Sequence, residues 1–98
     1  MQVNFNTVHF KADKKLINFI TEKIEKTTGL FDGIISSDVT LKLNNNEGVE
    51  NKIVEIRLII RGYDLFAKKQ NKTFEEATDN ALEAIKKQLK KYKEKLRK

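Results

Sequence analysis

Six lysines near the carboxyl end of the sequence, Lys86, Lys87, Lys90, Lys91, Lys93 and Lys95, are followed by Arg97 and Lys98 and interrupted by a single acid, Glu94. Placed on a helix at about 100° per residue, Lys86, Lys90, Lys93 and Arg97 fall within a sector of roughly 60°, and Lys87, Lys91 and Lys98 form a second row. Cations repeating about every 5 to 6 Å suit successive phosphates, whose spacing along a nucleic-acid strand is comparable. The chemistry on offer is charge neutralisation of a polyanion. Residues 86–98 carry eight bases and one acid, whereas residues 1–85 carry 12 bases and 13 acids, so the net charge of +6 is local. A helix macrodipole favours cations only in the last turn, which leaves Lys86, Lys87, Lys90 and Lys91 unexplained by it. A lysine-rich helix can be merely a solvated face, but the near-neutral remainder argues against a general solubility device. Lys23 and Lys26, late in an earlier helical segment, would extend the patch if the two helices lie side by side.

Bond-making chemistry has little to work with. His9 is the only histidine and cysteine is absent, so a zinc site would have to be built from carboxylates. No glycine-rich phosphate loop, nucleophile motif or isolated carboxylate pair is present. The sequence predicts a non-enzyme with no cofactor, no metal and no small-molecule substrate. Phe5, Phe10, Phe19, Phe31 and Phe74 are better used in a core, and Tyr92 sits in an apolar stripe that favours packing over base stacking. Without a paired set of sheet aromatics, recognition should go through backbone and shape.

The elements that position the lysines follow from periodicity. Phe74, Ala77, Ala81, Ile85, Leu89, Tyr92 and Leu96 recur every three or four residues, which predicts a helix over 73–98. Thr73 and Glu76 have the spacing of a capping box. Upstream, alternation predicts strands over 2–10, 34–43, 49–61 and 65–71, and Leu16, Ile17, Ile20 and Ile24 predict a helix over 14–26. Asp13 would cap that helix, and Gly29 would end it in the left-handed conformation. Val3 and Phe5, then Ile35, Val39, Leu41 and Leu43, then Val54, Ile56, Leu58 and Ile60, then Leu65 and Ala67, mark the inward faces. The polar stretch 44–48 is too short for a helical crossover, so the strands around it should be antiparallel.

Only one face of each strand is apolar, so both helices must share it. The expected fold is α+β, a two-layer β-α-β-β-β-α sandwich with a four-stranded sheet and a polar open face. With 98 residues this is one domain, 1–98. The final helix, roughly 35 Å long at about 1.5 Å per residue, should outreach the sheet and project its basic end. The lack of an apolar run that could span a bilayer and of a signal-peptide core makes a soluble cytoplasmic protein with no membrane partner the expectation.

Several stretches, taken with this element order, resemble one family. They are Met1-Gln2-Val3-Asn4-Phe5, Phe31-Asp32-Gly33-Ile34-Ile35, Val39-Thr40-Leu41, and Ala77 and Asp79 followed by Gln88-Leu89-Lys90-Lys91-Tyr92-Lys93-Glu94-Lys95-Leu96. The sequence is similar to the short ribosome hibernation-promoting factors, relatives of a ribosome-associated inhibitor once called a sigma-54 modulation protein. The resemblance implies a fold like that of double-stranded RNA-binding domains, docked in the mRNA–tRNA decoding channel of the small ribosomal subunit. It implies contacts to 16S-type ribosomal RNA, on the small subunit or the whole ribosome, and inhibition of translation in stationary phase. The family's basic contact positions match Lys86, Lys87, Lys90, Lys91, Lys93 and Lys95, and late in the first helix Lys23 and Lys26. Where the family usually has an aromatic residue, an aliphatic residue and a proline, this chain has Glu75, Thr78 and Lys14. The sequence ends at Lys98, short of the dimerisation domain of the long factors, so ribosome dimerisation would need a separate ribosome-dimerising factor. The residues also admit two other readings, a general double-stranded RNA-binding module and a protein-interaction module using the amphipathic basic helix.

Overall fold

The computed structural model describes residues 2–29, 31–44 and 48–96. Its elements follow the order β1 (Gln2–Val8), α1 (Lys14–Thr28), β2 (Ile34–Leu43), β3 (Lys52–Ile60), β4 (Tyr63–Asn71) and α2 (Phe74–Leu96). The sheet runs β1-β2-β3-β4, with β1 and β2 parallel across the α1 crossover and the other neighbours antiparallel. No helix among the described residues is long and apolar enough to cross a membrane.

The strand signal in β1 stops at Val8 because His9 turns the chain with a φ of 68°, a conformation a strand cannot contain. Phe10 is thereby carried over to stack on Phe74, the first residue of α2, at a centroid distance of 4.7 Å. Asp13 caps α1 as expected, its carboxylate accepting from the Leu16 N–H at 2.9 Å. Gly29 does not end α1 in the left-handed region; its φ is −62° and its ψ −20°. The glycine matters there for space, since a Cβ would lie 2.9 Å from the Glu25 carbonyl oxygen.

Ile35 was expected to face the core and does not. The β2–β3 register slips between Ile34 and Ser36, so Ile34 packs inward while Ile35 is turned out, 58% exposed. A bulge shifts the alternation by one residue, which a strict period of two cannot anticipate. From Ser37 onward the parity holds, and Val39 and Leu41 are fully covered. The predicted start of β3 at Val49 is also corrected. Val49 is 73% exposed, and the hairpin closes through the Asn44 N–H on the Asn51 carbonyl at 2.9 Å. β4 begins two residues earlier than predicted because Arg61 and Gly62 alone form the turn, with Gly62 at a φ of 73°, which favours glycine.

One core lies between the sheet and both helices. Ile20 and Ile24 of α1 meet Val39, Leu41, Val54, Ile56 and Leu58 of the sheet and Ala77, Ala81, Leu82, Ile85 and Leu89 of α2. The opposite sheet face is largely polar. Asn4 donates to Asp38 at 2.9 Å, Lys42 pairs with Glu55 at 2.8 Å, and Arg57 pairs with Asp64 while lying 5.0 Å over the Phe66 ring. The two helices run side by side in one direction. Phe10, before α1, meets the start of α2, and Phe31, after α1, meets Lys93 near its end.

Candidate nucleic-acid interface

α2 starts where the sequence places it. Thr73 Oγ1 accepts from the Glu76 N–H at 3.0 Å, while the Glu76 carboxylate, expected on a backbone N–H as the second arm of the capping box, accepts instead from the Asn71 side-chain amide at 3.0 Å. Glu75 and Glu76 occupy the first turn and Lys93 and Lys95 the last, as the macrodipole favours. Phe74, Ala77, Thr78, Ala81, Leu82, Ile85 and Leu89 form a continuous buried seam. Thr78 is fully buried and donates its hydroxyl to the Phe74 carbonyl at 2.7 Å. The threonine methyl thus faces the core with its polar atom satisfied.

The basic half does not project free of the sheet, as its length suggested. Ile85 and Leu89 are buried, and Tyr92 stacks on Tyr63 of β4 at 5.6 Å. Lys86 to Lys91 are therefore mounted on the sandwich, and only the last turn runs past Tyr92. This matters because a packed helix holds its charges in a fixed array, whereas a free one frays.

All six lysines of α2 are exposed, and they divide between two flanks of the buried seam. Lys86, Lys90 and Lys93 lie toward α1; Lys93 sits 5.4 Å over the Phe31 ring, and Phe31, Lys90, Lys93 and Glu94 line a shallow depression. Lys87, Lys91 and Lys95 lie toward the β4 edge. There Lys87 borders Lys69 and Gln70, and Lys91 and Lys95 border Tyr63 and Leu65. Arg97 falls outside the described residues.

Lys23 and Lys26 are not gathered into these rows. The Lys23 amine lies 3.6 Å from Asp79, in the acidic half of α2, and 5.5 Å from the Phe19 ring centroid. Lys26 stands exposed in the last turn of α1. Two residues that position the array escaped sequence reading as such. Gln88 spans to the edge strand, accepting from the Phe66 N–H at 3.3 Å and donating to the Phe66 carbonyl at 2.8 Å. Tyr63 lies outside the strand expected over 65–71, although it shares the parity of Leu65 and Ala67, and running that alternation back two residues finds it.

Residues 3–97 match the family model described as sigma 54 modulation protein / S30EA ribosomal protein. The chain belongs to this family. The S30EA match takes in both lysine rows and every element of the fold. A curated relative, the ribosome hibernation promoting factor of Pseudomonas putida KT2440, is 32% identical over 95 residues, covering 97% of this chain and 89% of that protein. Among solved structures, a ribosomal subunit interface protein from Coxiella burnetii superposes with a TM-score of 0.85 at 18% identity, covering 95% of this chain and 98% of the other. The N-terminal domain of Thermus thermophilus Protein Y gives 0.80 at 16% identity, over 94% and 99%. At such identities the superpositions speak for the fold, and they agree with the α+β architecture and β-α-β-β-β-α order.

Proposed function

We propose that this chain is a ribosome-associated translation inhibitor that binds the small subunit, alone or in the whole ribosome, in the mRNA–tRNA decoding channel. It acts in the cytoplasm of stationary or starved cells by occupying space rather than by catalysis. Lys86, Lys87, Lys90, Lys91, Lys93, Lys95 and Arg97 neutralise rRNA phosphates, with Lys26 and Lys23 at the periphery. Ribosome dimerisation, where it occurs, falls to a separate partner. The observation that carries this reading is the pair of exposed lysine rows held on one packed helix, on an otherwise near-neutral body, in a member of the S30EA family.

The test is co-sedimentation with ribosomes and small subunits alongside in-vitro translation. The chain pellets with both and lowers translation. Charge reversal at Lys86, Lys90 and Lys93 together abolishes the association at moderate salt; association unchanged by that triple reversal overturns the proposal. An excess of arbitrary RNA duplex leaves the ribosome-bound chain in place, whereas a general duplex binder would be displaced at equal phosphate concentration.

A further inference from the structure

On the β4-facing flank, Tyr63, Leu65, Gln88, Lys91, Tyr92 and Lys95 line a cleft of about 370 Å³, within the range of roughly 300 to 1,000 Å³ typical of small-molecule sites. It differs in kind from the phosphate-spaced lysine rows. Its base is apolar and aromatic, the two tyrosine rings being stacked at 5.6 Å with an interplanar angle of 18°. Tyr92 is half-buried under this stack, but Tyr63 remains 54% exposed. The ring stack is therefore open-ended.

Lys91 and Lys95 are one helical turn apart on the same flank, so two ammonium groups stand beside the aromatic platform. Gln88 is oriented by the sheet, its carboxamide accepting from the Phe66 N–H and donating one of its two N–H groups to the Phe66 carbonyl. An open aromatic face with flanking cations suits a flat π-system carrying negative charge. We propose that this cleft takes one unpaired nucleotide of RNA, its base stacked on Tyr63 and its flanking phosphates on Lys91 and Lys95. The inference rests on the ribosome-binding reading and adds to it a requirement for an unpaired base. Stacking of this sort tolerates any base, so the cleft selects single-strandedness and not sequence.

The chain reports on this site directly, since it has no tryptophan and its only two tyrosines are Tyr63 and Tyr92. Tyrosine emission is followed while the full chain is titrated with a single-stranded RNA oligonucleotide, with a strand of equal length and charge made abasic, and with a duplex. The base-bearing strand quenches and binds more tightly than the other two. Tyr63→Leu keeps an apolar contact with Tyr92 but weakens single-strand binding roughly tenfold without altering its salt dependence, and Tyr63→Phe retains wild-type affinity. Equal affinity for the abasic strand, wild-type affinity in Tyr63→Leu, or equally strong quenching by a polyglutamate peptide would each overturn the inference. The two proposals fail separately. Ribosome association lost on reversal at Lys86, Lys90 and Lys93 but indifferent to Tyr63→Leu removes only the nucleotide cleft, while association indifferent to the lysine reversal removes the parent reading whatever the tyrosines do.

Discussion

Gln88 sits among lysines, yet its work is on the sheet. β4 is an edge strand, and an edge presents unpaired N–H and C=O groups that invite another chain. Through its carboxamide Gln88 answers both main-chain groups of Phe66, at 3.3 and 2.8 Å. It thereby ties the basic half of α2 to the strand that carries Tyr63. Gln88→Ala is expected to cost about 1 to 2 kcal/mol, two neutral hydrogen bonds being worth roughly that much. The loss reads as a melting-temperature fall of about 4 to 8 °C per kcal/mol in a domain of this size, and an unchanged melting temperature would count against the role. Lys23 illustrates the opposite case. Its charge is directed to Asp79 at 3.6 Å, an exposed pair of small energetic worth that sets it apart from the two lysine rows of α2.

α2 is a charged array whose alignment depends on a narrow apolar seam. Ile85 is fully buried beside Lys86, between Leu82 and Leu89, and against a sheet face built from Ile56, Leu58 and Leu65. Truncating it removes contacts that hold the lysine rows in register with the sandwich. Ile85→Ala should destabilise by about 2 to 5 kcal/mol, seen as a lowered denaturant midpoint with an unchanged slope. Retention of the wild-type midpoint would mean the basic half is not held by this seam. Both helices also run the same way over the sheet, so the Phe31 loop is delivered beneath Lys93. The α1-facing row therefore has an aromatic neighbour, and the β4-facing row has the tyrosine stack. The two flanks offer different surfaces to a partner.

Across the whole molecule, charge is sorted rather than spread. The extents of 46 × 23 × 20 Å describe an elongated body, with the acids of α2 at one end of its long helix and the bases toward the other. An array of this kind binds a polyanion by releasing its counterions, at roughly 0.7 to 0.9 in the logarithmic salt slope for each phosphate neutralised. Replacing Lys86, Lys90 and Lys93 with glutamine should make the salt dependence of ribosome association shallower by roughly 2 to 3. Sedimentation at a series of salt concentrations measures it, and an unchanged slope would place these lysines away from phosphate.

The order of elements, the inward residues of β3 and β4, the Asp13 and Thr73 caps and the segregation of the lysines were all legible in the chain, because periodicity, capping and charge are local properties. They depend on neighbours within a few residues. What the sequence left open depended on contacts distant along the chain. The β2 bulge that expels Ile35 arises from pairing with β3. The seating of Tyr92 on Tyr63 joins residues on different elements, as does the grip of Gln88 on Phe66. Composition alone specified how much positive charge this helix carries. Only tertiary packing decided that the charge is mounted on the sandwich in two unlike rows, since the direction each lysine takes is set by which side of α2 the sheet and α1 cover.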